Sequence, residues 1–190
     1  MLNMMLLIKG LKVLSVSVLI FVLSPSQSFS ENTPQELRQI SDDYYHKAVA
    51  SYKQEIVESN NPSDLYFELG QLYLSRGEYG LSADSFKQSA HPFAKKYLAV
   101  SFYRMNNFAD ALEIFNKLDI EDDESYYYSA LTCERLNLFD QALKAYRKIQ
   151  GSEFKGMAAL RIENIEKKKS AINIRTEDPD VARIISSSAD

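Results

Sequence analysis

The chain has 190 residues, 45% of them hydrophobic and 25% charged, with a formal net charge of −4 at neutral pH; that is a globular composition, long enough for one domain with a core of its own. An acidic balance repels phosphate backbones and anionic lipid headgroups, which argues against nucleic acid as a partner. A single cysteine, Cys133, cannot close an internal disulfide, so packing alone must hold the fold.

Residues 1–30 stand apart. They hold Lys9 and Lys12 and no acid, then the apolar run Val13–Leu23, then Ser24-Pro25-Ser26-Gln27-Ser28-Phe29-Ser30. A basic start, a short apolar centre and small residues at the exit read as a signal peptide for export. Ser28 and Ser30 would flank a cut before Glu31, and Ser24 and Ser26 an earlier one. The run is about half the roughly 20 residues that a bilayer-spanning helix needs. The expectation is an exported chain, in the periplasm, with an uncleaved N-terminal anchor as the alternative. No cysteine near the run offers a site for lipid attachment.

After a linker at 31–35, apolar residues recur at helical spacing of three and four, with almost no strand signal. A long helix is expected over 36–59, with Leu37, Ile40, Tyr44, Ala48, Tyr52 and Ile56 along one stripe and Asn60-Asn61-Pro62 as its stop. Helix pairs follow at 64–76 with 78–90, 93–105 with 107–118, and 124–136 with 138–149. Ser63 is the expected N-cap of the first of these, and Gly151 a break after the last. A final helix is expected over 153–169, with Phe154, Met157, Ala158, Ile162 and Ile165 on its apolar face and Lys155, Glu163, Glu166 and Lys167 on the other, as a terminal cap requires. Residues 170–190 are polar, apart from Ile184-Ile185, and read as a mobile tail.

One pattern returns four times: an aromatic, a small residue three on, an aromatic four later. It reads Tyr45–Ala48–Tyr52, Tyr79–Ser82–Phe86, Phe108–Ala111–Phe115 and Phe139–Ala142–Tyr146, with small residues 34, 29 and 31 apart. Tyr66-x-x-Leu69-Gly70-x-x-Tyr73 precedes the second copy, and Leu98-Ala99-x-x-Phe102 and Ser129-Ala130-x-x-Cys133 are weaker versions ahead of the next two. Between the two patterns stand Gly77, Asn106 and Asn137, the residue types that accept the left-handed backbone that ends a helix. Each unit is therefore helix, tight turn, helix. Gly70, Ala99 and Ala130 on the first helix, and Ser82, Ala111 and Ala142 on the second, allow close approach, while the aromatics fill the space between pairs. One pair cannot bury its stripe alone; stacked pairs bury a continuous core.

These residues resemble the tetratricopeptide repeat family, whose signature is an aromatic, Leu-Gly and Tyr on the first helix, then Ala with an aromatic four later on the second. Tyr66, Leu69, Gly70, Tyr73, Gly77, Tyr79, Ser82 and Phe86 match it best, and the resemblance covers about residues 40–165. The later repeats are shorter than the family's 34 residues, and its usual inter-repeat proline is missing, with only Pro92 nearby. The resemblance implies an all-α, right-handed solenoid of antiparallel helix pairs, about three full repeats with flanking N- and C-terminal helices, over 31–169.

No residue set for catalysis stands out. His46 and His91 lack companions at metal-ligand spacing and are expected on exposed helix or turn positions; no GxSxG, Walker or GxGxxG motif is present. Gly77 and Gly80 have no strand leading into them, as a phosphate loop would require. The acidic run Asp119–Glu124 lacks the glycine and terminal glutamate of an EF-hand, and reads as a linker whose acids open a helix. Cys133 falls at a packing position and reads as a buried small residue. The expectation is no enzyme, no cofactor and no metal.

The resemblance implies instead a binding module with a concave groove lined by the first helix of each pair. The candidate groove residues are Phe67, Gln71 and Leu74; Lys96, Val100, Tyr103 and Arg104; and Tyr127, Leu131, Glu134 and Arg135. This mixture suits a peptide with apolar anchors and some acidic character. One subclass of the family grips a C-terminal carboxylate through Lys, Asn and Arg; the matching positions here hold Phe67, Gln71, Tyr97, Glu124 and Tyr128, so that mode is not expected. The expected function is a non-catalytic scaffold that binds a protein or peptide of the cell envelope. The alternative is binding of an envelope glycan, or an accessory role to an envelope enzyme, resting on the 12 tyrosines.

Overall fold

A computed structural model of the chain describes residues 33–119 and 121–176. The expected signal segment, and residues 177–190 of the expected tail, lie outside them. The described residues form eight helices and no strand: α1 (Pro34–Glu58), α2 (Ser63–Ser75), α3 (Tyr79–Gln88), α4 (Ala94–Arg104), α5 (Phe108–Phe115), α6 (Asp123–Arg135), α7 (Phe139–Tyr146) and α8 (Ser152–Thr176). None of these helices is long and apolar enough to cross a membrane. The last runs past its expected end near 169.

The chain divides into two units between Tyr44 and Tyr45. The described part of the first is the opening of α1. There the Thr33 N–H donates to the Glu36 carboxylate at 2.7 Å, and the Glu36 N–H donates to the Thr33 hydroxyl at 3.3 Å, a reciprocal cap of the helix start. Every residue from 34 to 44 is exposed, Leu37 at 50%, Ile40 at 42% and Tyr44 at 68% included.

The expected stripe through Tyr44 is therefore shifted. In the second unit the buried row of α1 is Tyr45, Val49, Tyr52 and Ile56, packed on Leu69, Leu72 and Tyr73 of α2. Adjacent tyrosines offer two registers, and the one chosen puts Val49 rather than Ala48 beside the larger rings, which buries more apolar surface.

The rest of the second unit is a stack of helix pairs. Each helix packs on the next in sequence, and α2, α4, α6 and α8 also touch in succession, whereas α3, α5 and α7 do not touch one another. Elements that meet at the shorter spacing form the inner row of a curved stack, so α2, α4, α6 and α8 line the inside. The final helix thus takes the place of the first helix of a further pair. It buries Ala158 and Ile165, with Phe154 and Ile162 beside them. Met157, expected on that face, is 45% exposed, because it lies a helical step off the buried row.

The three turns within pairs are copies of one geometry. Gly77, Asn106 and Asn137 have φ of 78°, 61° and 58°. Beyond each, a backbone N–H reaches back to the same carbonyl of the preceding turn: Glu78 to Tyr73 at 2.9 Å, Asn107 to Phe102 at 2.9 Å and Leu138 to Cys133 at 2.8 Å. This is the helix-ending bond pattern that a left-handed residue makes possible.

The small residues do what their size suggests. A Cβ built on Gly70 would sit 2.7 Å from the Phe86 ring. Ser82, Ala99, Ala111, Ala130 and Ala142 are wholly buried. Ser82 keeps its hydroxyl satisfied there by donating to the Gly70 carbonyl at 2.9 Å, with Ser101 Oγ at 3.0 Å.

Ser63 is not the N-cap expected of it. Pro62 holds that position without a side-chain bond. Ser63 instead accepts the Ala90 N–H on its hydroxyl and the Ser89 hydroxyl on its carbonyl, both at 2.8 Å, which ties the start of α2 to the end of α3. Acids do open α6, as expected. Asp122 caps it through the Ser125 N–H at 2.7 Å, and Asp123 accepts the N–H groups of Gln150 and Gly151 at the break before α8.

Candidate partner-binding groove

The inner helices share a register, counted from the residue of closest approach, Gly70 in α2, Ala99 in α4 and Ala130 in α6. Three residues before it stand Phe67, Lys96 and Tyr127; one after, Gln71, Val100 and Leu131; four after, Leu74, Tyr103 and Glu134.

Three of the eleven candidates are removed from the groove by burial. Val100 and Leu131 belong to the core, with Ala99, Ala111 and Phe115 around the first and Ala130, Leu143 and Tyr146 around the second. A residue next to the point of closest approach faces the adjoining pair, so it is covered wherever a full pair precedes it. Lys96 is only 6% exposed. Its ammonium donates to Glu124 at 2.8 Å and to Asp122 at 3.1 Å. Burial works to depress its pKa, but the two carboxylates outweigh that and hold it above its ordinary value. Its charge is consumed in joining α4 to α6, and it offers none to a partner.

The other eight remain half-buried or exposed along the inner row. Phe67 stacks on His91 with ring centroids 3.8 Å apart and meets Tyr97 edge-on. His91 is thus half-buried in an aromatic stack, against the expectation of an exposed turn residue; His46 is exposed as expected. Gln71 is half-buried one helical turn after Phe67 on α2, and Leu74 packs on the Ala99–Val100 cluster. Tyr103 meets Phe108 and Tyr128, each at 5.7 Å between centroids. Arg104 donates to the Tyr128 hydroxyl at 2.9 Å, and Arg135 lies 5.0 Å from the Phe108 centroid. Tyr127 contacts Tyr128, Tyr146 and Phe154 and points its hydroxyl at the Met157 sulfur. Glu134 accepts the hydroxyl of the fully buried Tyr146 and faces Arg161 at 3.5 Å. Burial and that carboxylate push the Tyr146 phenol far above its ordinary pKa.

The sequence places Tyr97 and Tyr128 only at the carboxylate-gripping positions and not among the groove candidates, and Arg161 not at all. Tyr97 and Tyr128 occupy equivalent places, two residues before Ala99 and Ala130, and that recurrence was the available signal. Arg161 enters because α8 serves as a further inner helix, which only its contact with α6 reveals.

A second concavity of about 390 Å³ lies between α5, α6 and α7. Its floor is Ser125, Ser129 and Cys133, spaced by four along α6. Cys133 is 2% exposed, and burial raises its thiol pKa, so it is held as an inert thiol. The Lys148 ammonium at the rim pairs with Glu121 and lies over the Tyr126 ring. Among the described residues no group of His, Cys, Asp and Glu gathers at metal-binding distance.

No protein-family model matches the sequence, and no curated protein is significantly similar to it. Among solved structures, the crystal structure of MamA superposes with a TM-score of 0.53 at 17% sequence identity, covering 73% of this chain and 95% of that one. At that identity the likeness carries the fold alone: an all-α solenoid of stacked helix pairs.

Proposed function

We propose that this chain is a non-catalytic scaffold that holds a partner protein or peptide against its inner row of helices, on the far side of a membrane in the cell envelope. The observation that carries the reading is the inner surface itself. α2, α4, α6 and α8 present Gln71, Leu74, Tyr97, Tyr103, Tyr128 and their arginines along one continuous row, and aromatic and arginine residues are the types that anchor protein interfaces. The location rests on the basic-apolar-small pattern of residues 1–30.

The test is affinity capture with crosslinking from fractionated cells. The expected result is a partner protein recovered from the envelope fraction, with recovery reduced by Gln71→Arg combined with Leu74→Ala while the helical circular dichroism is kept. Recovery of no protein above control, or recovery from the cytoplasm alone, would overturn the reading.

A further inference from the structure

We infer that the groove recognises acidic side chains of its partner through an arginine cluster, Arg104, Arg135 and Arg161, gathered around Tyr103 from three successive inner helices. This rests on the partner-binding reading above and gives its partner a chemistry: a peptide segment with one or two Asp or Glu residues beside an apolar or aromatic anchor.

The geometry is a chain of contacts. Arg104 bonds the Tyr128 hydroxyl at 2.9 Å with its guanidinium 5.6 Å from that ring's centroid. Tyr128 meets the edge of Tyr103, and Tyr103 meets Phe108. Arg135 lies 5.0 Å from the Phe108 centroid. Arg161 closes the group from α8 by way of Glu134. The same three cations pull on the Tyr103 phenol, although burial outweighs them and leaves its pKa raised.

Among the described residues neither Arg104 nor Arg135 has a carboxylate partner. Both stand in the last turn of a helix, where the helix dipole favours a cation. That accounts for a positive charge at each place. It does not account for charges of one sign converging from different helices on a chain whose net charge is −4. Guanidinium groups held against rings are positioned in advance, and because Arg104 and Arg135 are exposed, their N–H donors not used inside the protein are accessible to a planar carboxylate.

Charge count and surroundings choose the occupant. Three arginines against Glu134 leave a local excess that one or two carboxylates neutralise. A polyanion such as nucleic acid would meet the acidic remainder of the surface. The half-buried Leu74, Tyr103 and Tyr127 beside the cluster, with exposed Met157, suit peptide side chains.

The experiment is selection of random 12-residue peptides displayed on phage against the full chain, followed by fluorescence anisotropy of the enriched peptides at low and high salt. The expected result is enrichment of Asp or Glu next to an aromatic or aliphatic residue. Affinity should fall at least tenfold with Arg104→Glu plus Arg135→Glu, fall several-fold with Arg104→Lys plus Arg135→Lys, and stay unchanged with Arg147→Glu, which reverses a charge on the Arg147–Glu166 pair. Circular dichroism checks that each variant folds. Enriched peptides of neutral or basic composition that Gln71→Arg still blocks would overturn the acidic preference and leave the scaffold reading standing. No enriched peptide, together with no captured partner, would overturn both. Self-association of the full chain that Arg104→Glu abolishes would give the surface to a second copy and also overturn the inference.

Discussion

The α2–α3 pair and the α6–α7 pair share one backbone plan and are sealed differently. In the first, a glycine lets the Phe86 ring lie directly on the α2 backbone, and the polar groups beside that contact are serine hydroxyls, Ser82 bonded to the Gly70 carbonyl with Ser101 next to it. In the second, Ala130 keeps a Cβ at the same place, the ring is Tyr146, and its hydroxyl continues through Glu134 to Arg161 of α8. At the ring the first seal is apolar and local; the second is polar there and reaches into the groove. Repeats that match in fold therefore differ in what the structural residues do besides packing, and the less regular copy sits closer to the proposed recognition surface.

The largest way to break this comparison is removal of the ring. Phe86→Ala should cost about 3–5 kcal/mol of unfolding free energy, because Phe86 is fully buried and the α2 backbone cannot collapse onto the space left. Urea denaturation followed by circular dichroism measures it. A loss below about 1 kcal/mol would mean that Gly70 and Phe86 do not seal the pair.

Next is the small-residue contact itself. Gly70→Ala places a Cβ against a ring that cannot retreat, and should destabilise by about 1–3 kcal/mol despite the better helix propensity of alanine. Ala130→Gly loses a helix former and a buried methyl and should cost about 1 kcal/mol or somewhat more. Both changes should be unfavourable though they run in opposite directions. A stabilising Gly70→Ala would show that the close contact is slack.

The polar seal has a pH signature. Burial and Glu134 favour the neutral phenol of Tyr146 in the folded chain. The unfolded tyrosine ionises from about pH 10, so this contribution is complete below that pH and is lost progressively above it. Tyr146→Phe should lower stability at neutral pH by about 1–2 kcal/mol, since Glu134 loses a donor. Its alkaline decline should then be shallower than that of the unaltered chain. Tyr52, pushed up to about 12 by burial and Glu68, and Tyr45, shifted in the same direction, preserve part of the slope. Identical alkaline slopes would sever Tyr146 from the titration.

Helix pairs and turns are legible in the sequence because local chemistry sets them. Gly77, Asn106 and Asn137 each announce a left-handed residue, and the structure has one at every place. The groove is legible only in part. Val100 and Leu131 share a row with Gln71, yet only Gln71 stays clear of the buried core, because cover depends on what precedes each pair in the stack. Lys96 reads as a free cation until Asp122 and Glu124, more than twenty residues on, are brought onto it. The choice of Tyr45 over Tyr44 likewise depends on which α1 face meets Leu69 and Tyr73, a fact of tertiary packing rather than of helical period.

The smallest expected effect tests whether the three turns are interchangeable. Gly77 has φ of 78°, and the equivalent Asn106 and Asn137 have 61° and 58°. Asparagine tolerates this region better than other side chains, and the added Cβ at Gly77 would meet only the end of the Tyr79 ring at 3.8 Å, an ordinary contact. Gly77→Asn should therefore change stability by less than about 0.5 kcal/mol, while Gly77→Ala should cost about 1–2 kcal/mol because alanine has no local bond to offset the left-handed backbone. Paired thermal melts resolve the difference. If Gly77→Asn costs as much as Gly77→Ala, the first turn needs glycine for a reason the other two lack, and the shared geometry of Glu78, Asn107 and Leu138 bonding back across the turn would not by itself make the repeats equivalent.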